Sequence, residues 1–152
     1  MTPSKTAKKT AEDLEFGVLN ESLGYLIRQL QLQVYSDFNK FFSEYEVTPA
    51  QFAVLEVLAN NPGIHATPLA NALGIKRPNL VGLLDKLALR DFIERRPFPT
   101  DPRAHALYLT DTGEKLMAKL HECFYAHENG LKHKLGEDNF AQFRQQVLTL
   151  VK

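Results

Sequence analysis

The chain has 152 residues, 44% of them apolar, a formal net charge of zero and one cysteine. That length and apolar fraction suit one domain with its own core, and zero net charge removes any whole-molecule argument for nucleic acid or membrane binding. Cys123 alone excludes an internal disulfide, which fits a reducing cytoplasm.

The first residues, "MTPSKTAKKTAED", carry lysines but no apolar run, so they do not read as a secretory signal. No apolar run approaches the ~18 residues of a membrane span. Residues 1–11 read as a flexible tail. It is either plain disorder or an arm whose lysines touch a phosphate backbone.

Residues 12–45 place Phe16, Leu19, Leu23, Leu26, Ile27, Leu30, Val34, Phe38, Phe41, Phe42 and Tyr45 at steps of three and four. This spacing predicts a long amphipathic helix, broken near Gly17 or Gly24. A helix that long overhangs a domain of this size, and overhang points to a second copy of the chain.

"VTPAQFAVLEVLANNPG" marks the next helix. Thr48 is the N-cap, Pro49 takes the first helical position and Gln51 completes a capping box. Phe52, Leu55 and Leu58 form its apolar face, and Asn60 to Gly63 stop it. "HATPLANALGI" repeats the device, with Thr67 as cap, Leu69 and Leu73 inward and Gly74 at the end. "KRPNLVGLLDKLALRDF" then carries a leucine stripe at Leu80, Leu83, Leu84 and Leu87. Two helices joined by a short turn, the second basic at its start, form a helix-turn-helix.

From Phe92 to Leu109 the period changes to two. "FIERRPF" and "AHALYL" read as strands joined by "PTDPR", and the prolines limit them to a two-stranded hairpin. Thr110 or Asp111 caps a long helix to about His133. Gly136 breaks it, and "EDNFAQFRQQVLTLV" forms the last helix. The expected organisation is a tail over 1–11 and a dimerisation and ligand-pocket helix over 12–45. A winged helix-turn-helix DNA-binding domain covers 46–110, and C-terminal dimerisation helices cover 111–152. The fold class is mainly α with a small β-hairpin wing.

Charge is unevenly placed. Residues 76–103 carry seven basic and four acidic side chains, a net +3, leaving −3 for the rest. Such a patch is a local binding signal. A recognition helix fits the ~12 Å major groove, and a hairpin beside it falls over the minor groove, where an arginine meets enhanced negative potential. Arg103 is the tip residue, with Asp101 placed to orient its guanidinium. Pro97, Pro99 and Pro102 stiffen the wing.

The stretches "GIKRPNLVGLLDKLALRDFIER" and "TDPRAHALYLTDTGEKL" resemble the signature of MarR-type transcriptional regulators. The matching features are the Gly-Ile turn, Leu-Asp-Lys-Leu, aromatic-Ile-x-Arg, Asp-x-Arg and Leu-Thr-x-x-Gly. The resemblance implies a homodimer built from the first and last helices, a two-fold operator and a small effector that alters DNA affinity. Two positions depart from the pattern. Asp91 stands where glycine usually ends the recognition helix in a left-handed conformation. Val81 and Gly82 stand where serine and arginine are frequent. Gly82 costs roughly 1 kcal/mol of helix stability against alanine; it either lets the backbone approach DNA closely or marks a different base reading.

The DNA-binding candidates are Thr67, Asn71, Lys76, Arg77, Asn79, Gly82, Lys86, Arg95, Arg96 and Arg103. Arg77 suits guanine, Asn79 adenine and Lys86 phosphate. Arg95 and Arg96 hold phosphates or pair with Asp101. Thr67 and Asn71 touch the DNA backbone or serve as cap and surface. Arg28 is the only charged side chain between Ser22 and Ser36. It needs a counter-anion if buried: either an acidic neighbour, or a ligand carboxylate or phosphate in a pocket lined by Tyr25, Gln29, Tyr35, Phe38, Phe42 and Phe52. Ordinary core packing is the other reading of these aromatics. The resemblance extends to regulators of aromatic-acid catabolism, of the hydroxycinnamate or benzoate type. It implies such an acid, or its coenzyme A thioester, as effector.

Cys123 and His127 share a helical face, but two ligands are too few for structural zinc. The expected cofactors and metals are therefore none. No nucleophile elbow, P-loop, dinucleotide fingerprint or zinc-protease motif is present, so an enzyme is the distant class. A repressor is expected, with a winged-helix protein-interaction module as the alternative.

Overall fold

A computed structural model describes residues 10–151, Pro102 by its backbone only. Residues 1–9 of the expected tail lie outside the described residues. Two compact units divide the chain, Met1–Ser36 and Asp37–Lys152.

The first unit opens with 3-10 turns at Ala11–Asp13 and Gly17–Glu21. Thr10 donates from its hydroxyl (2.7 Å) and its backbone N–H (2.8 Å) to the Asp13 carboxylate, which holds that carboxyl below its ordinary range. Helix α1 follows, Leu23–Phe42. The Ser22 hydroxyl accepts from the Tyr25 N–H at 3.2 Å, satisfying an otherwise orphaned donor of the first turn. The expected single helix over 12–45 is thus shorter. The helical path is interrupted at Gly17, which has φ +54°, and again at extended Ser22, two residues before Gly24. None of residues 10–36 is buried. Leu23, Leu26, Ile27, Leu30, Leu32 and Tyr35 are all exposed.

The second unit holds the core. Helix α2 is Pro49–Asn60. Its capping box forms as its sequence dictates: Thr48 Oγ1 accepts from the Gln51 N–H (3.2 Å), and Gln51 Oε1 accepts from the Thr48 N–H (2.9 Å). Strand β1 is Ile64–His65, helix α3 Ala66–Leu73 and helix α4 Arg77–Leu89. Strands β2, Ile93–Phe98, and β3, Asp101–Leu109, form the wing. Helices α5, Asp111–Leu135, and α6, Glu137–Val151, complete the chain.

The sheet corrects the expected two-stranded hairpin. It has three antiparallel strands in the order β1-β3-β2. Leu107 aligns with Ile64 on one side and Arg95 on the other. Prolines do not prevent this, because β2 remains an edge strand and Pro97 stands beside a register irregularity. The wing turn is also shorter than "PTDPR", since β3 begins at Asp101.

Pairing of β1 also moves the start of α3. His65, held extended by its partner strand, is the N-cap, and α3 begins at Ala66. Thr67 is therefore the second helical residue and not the cap; its hydroxyl accepts from Arg77 Nη1.

Leu80, Leu84 and Leu87 of α4 are buried with Leu55, Leu58, Leu69, Leu107 and Leu120. The helix ends on Asp91 in the left-handed region, φ +58°. Arg90 donates to the carbonyls of Tyr45 (2.6 Å) and Glu46 (2.8 Å), tying the end of α4 to the turn after α1.

Thr110 is the N-cap of α5, and its hydroxyl accepts from the Gly113 N–H at 3.0 Å. The Leu-Thr-x-x-Gly pattern has a steric cause here. A Cβ on Gly113 would stand 2.0 Å from the Phe92 carbonyl oxygen. Backbone meets backbone at that point, so relaxation is restricted. Gly113→Ala is expected to destabilise the fold by at least ~2 kcal/mol, read as a lower urea midpoint at unchanged slope.

Candidate nucleic-acid interface

Thr67, Asn71, Lys76, Arg77, Asn79, Gly82, Lys86, Arg95, Arg96 and Arg103 are all exposed. They do not form one cluster. Arg77, Thr67, Arg95 and Arg103 border an open cleft of about 710 Å³ between α4 and the wing, together with His65, Asp85, Asp101 and His105. Asn79, Gly82 and Lys86 follow one another at helical spacing on α4, so they share a different face. That face carries no ion pair among the described residues. Asn71 stands one helical turn after Thr67 on α3, and Lys76 is the N-cap of α4.

The wing arginines diverge by strand alternation. Arg95 turns to α4 and pairs with Asp85 at 2.6 Å, locking the wing base to the recognition helix. Arg96 lies on the opposite sheet face. It donates from Nε to Glu94 at 2.8 Å, and its guanidinium stands 4.2 Å from the centroid of the Tyr108 ring. Neither pairs with Asp101. That carboxylate accepts instead from the backbone N–H of Arg103 at 2.9 Å, so it shapes the tip turn and leaves the guanidinium free of any ion pair among the described residues. The expected Asp101–guanidinium contact is replaced because the bulged tip brings the nearer donor, a main-chain N–H, within reach.

Glycine at position 82 has no reason inside the chain: a Cβ there meets nothing within 4 Å.

The aromatic candidates separate as well. Phe38 stacks on Phe42 with centroids 3.7 Å apart, and Phe42 meets Phe52 at 5.3 Å. Phe38 and Phe42 are buried in the core, and Phe52 packs against it. Tyr25, Arg28, Gln29 and Tyr35 belong to the first unit. Arg28 is exposed and has no ion pair with any described residue. Phe52 also lines a cleft of about 190 Å³ with Glu56, His121, Phe124 and Tyr125. His121 Nε2 and Glu56 Oε2 lie 2.6 Å apart at that cleft. The sequence alone marks none of these four residues as a site. Their only signal was that Glu56 and Phe52 share a face of α2, since the partners come from α5.

Cys123 is half-buried; burial first, then Glu44 and Glu122, push its thiol up from the ordinary range. It is a poor nucleophile at neutral pH. His127 is buried, with its ring edge-on to Phe38 and Phe41. Among the described residues no helix is long and apolar enough to cross a membrane.

A helix-turn-helix followed by a hairpin that is tied by an ion pair to its second helix is a winged helix. The family model described as "MarR family" matches residues 45–104. The chain is similar to the transcriptional repressor CouR bound to a 23-mer DNA duplex, with 39% identity, 91% of this chain and 99% of that one covered, and a TM-score of 0.87. CouR bound to p-coumaroyl-CoA matches at 38% identity, with 91% and 98% covered and a TM-score of 0.86. The PcaV regulator of Streptomyces coelicolor in complex with its natural ligand matches at 26% identity, over 91% and 97% of the chains, with a TM-score of 0.81. A regulatory protein assigned to the hcr operon of Thauera aromatica is 28% identical over 134 residues, 88% of this chain and 81% of that one. The chain belongs to the MarR family of transcriptional regulators.

Open space around Gly82 makes its role separable from stability. Gly82→Ala is expected to stabilise the fold by about 1 kcal/mol, the helix-propensity difference. If the bare backbone is there for close approach to DNA, the same variant binds a cognate duplex more weakly in an anisotropy titration; unchanged affinity would assign the glycine to no contact.

Proposed function

We propose that the chain is a ligand-responsive repressor that grips a two-fold operator as a homodimer and is released by the coenzyme A thioester of an aromatic acid. The observation that carries this reading is the cationic cleft between α4 and the wing. In it Arg77 bonds only a neutral hydroxyl, and Arg103 has no carboxylate partner among the described residues. Guanidinium groups gathered at one open cleft of a neutral protein are a local signal for an anionic partner. The near-full-length likeness to a repressor on duplex DNA supports DNA as that anion.

Asn79, Gly82 and Lys86 are the major-groove face in this reading, and Arg103 reaches the minor groove. Arg95 acts by positioning, through Asp85. Asn71, Thr67 and Lys76 are the phosphate-backbone contacts in this reading, and Arg96, paired with Glu94 on the opposite sheet face, is left out of it.

Dimerisation is supported by apolar surface on the terminal helices. Leu23, Leu26, Ile27 and Leu30 are exposed on α1; Phe143, Val147, Leu150 and Val151 are exposed on α6. Apolar surface of that extent marks an interface. A dimer spaces its two recognition helices by one DNA turn, about 34–36 Å.

For the effector, the likeness to CouR bound to p-coumaroyl-CoA supports an aromatic acyl thioester. Within the second unit Phe52 and Phe124 offer a stacked aromatic wall; within the first, Arg28, with Tyr25, Gln29 and Tyr35, offers a cation for a carboxylate or phosphate. The ligand must favour the DNA-incompetent state, because equal affinity for both shifts nothing. Arg90 supplies a physical link, since it joins the turn after the Phe38–Phe42 stack to the end of α4.

The test is an anisotropy titration with a duplex from the chain's own upstream region. Arg103→Ala is expected to weaken cognate and unrelated duplex alike and to reduce the log–log salt slope by about one. Asn79→Ala is expected to erase about 1–3 kcal/mol of discrimination while leaving the slope unchanged. Charge reversal of Arg77 and Arg103 together without loss of binding would remove this cleft from the DNA interface, and a parent that binds no duplex would overturn the reading in favour of a protein-interaction module.

In the same assay p-coumaroyl-CoA is expected to weaken operator binding by about 5- to 150-fold. Arg28→Ala is expected to reduce that release. Equal release in the variant would remove Arg28 from the effector site.

A further inference from the structure

The sheet places His105 in the cleft between α4 and the wing. Residues 103, 105 and 107 alternate onto one face of β3, and the register aligns Leu107 with Arg95. That is the face Arg95 uses to reach Asp85 on α4. His105 is exposed there.

The charged and titratable groups around it are Arg77 and Asp85 of α4, Arg95 of β2, Asp101 and Arg103 of β3, and His65 of β1. Both carboxylates are engaged: Asp85 holds Arg95, and Asp101 holds the Arg103 N–H. Three guanidiniums against two carboxylates leave the lining with one net positive charge, and a protonated imidazole makes it two. His65 borders the same cleft, but its ring lies 4.6 Å from that of Phe98, and its register partner Ala106 is also the partner of Arg96, on the opposite sheet face.

We propose that His105 is a phosphate contact: with helix α4 in the major groove and the wing in the minor groove, the duplex strand between them runs through this cleft, and the imidazole grips it in its charged form. This rests on the DNA-binding reading above. Histidine is the side chain that changes charge between pH 5 and 8. A phosphate favours the charged form, so binding takes up a proton and tightens as pH falls.

The experiment is the upstream-duplex titration at pH 6.0 and pH 8.0 at fixed ionic strength. The parent is expected to bind about 3- to 5-fold more tightly at pH 6.0, the scale of one partly exposed charge contact. His105→Gln is expected to be flat across the range at the weaker affinity, and His105→Arg flat at the tighter one. His65→Gln is expected to keep the parent's dependence.

A Gln variant that retains the full dependence would overturn the assignment. So would an Arg variant no tighter than the parent at pH 8.0, or a loss of the dependence in His65→Gln. A parent that binds the duplex at neither pH would instead sink the DNA-binding reading, and this contact with it.

Discussion

Strand β3 is hydrogen-bonded along both edges, and the interface depends on that double pairing. One edge holds Ile64 and His65, the residues that lead into α3. The other holds the whole of β2. The helix-turn-helix and the wing are therefore not two modules on a tether. A single strand carries both, so the cleft between them has a set width. The Asp85–Arg95 pair adds a second tie, from α4 to the wing base. Exposed ion pairs contribute little stability, usually under about 1 kcal/mol. Its contribution is geometric: it orients the hairpin on a frame that backbone bonds already secure.

The same frame explains how a chain of zero net charge presents a cationic surface. Exposed charges are screened over about 8 Å at physiological ionic strength. What a phosphate meets is thus the local arrangement, and not the total. Here the acids nearest the cleft are already occupied by Arg95 and by a main-chain N–H. On the opposite face Arg96 is quenched by Glu94 and lies over Tyr108. Adjacent arginines in the sequence so acquire different electrostatic environments, separated only by the pleat of one strand.

The helices outside the winged domain obey a different constraint. The first unit buries none of its described residues, and α6 buries none of its residues and leaves Phe143, Val147, Leu150 and Val151 exposed. Hydrophobic burial is the dominant favourable term in folding and association. Surfaces of this kind are completed by another molecule. In a regulator that is useful, because elements stabilised by a partner respond to small shifts in how that partner sits.

Much of the architecture was legible without coordinates, wherever the deciding interactions are local. Thr48, Pro49 and Gln51 announce α2 because a capping box closes within four residues. The leucine spacing of α4 and the Thr110 cap of α5 are readable for the same reason, whereas the left-handed stop at Asp91 followed from the family resemblance. What escaped is contact between residues far apart in the chain. Two-residue β1 has no periodicity to detect, yet its pairing with β3 displaces the start of α3 and turns Thr67 from a cap into a partner of Arg77. The partners of Arg95, Arg96 and Asp101, the clash that demands Gly113, and the meeting of Phe52 with Phe124 were also settled by packing alone. The amino-acid order determines the principal helices and the wing strands, because those choices rest on hydrogen bonds and periodicities spanning a few residues. Tertiary structure alone decided which charges remain free and which cancel, because a salt bridge depends on distances that only the assembled core sets.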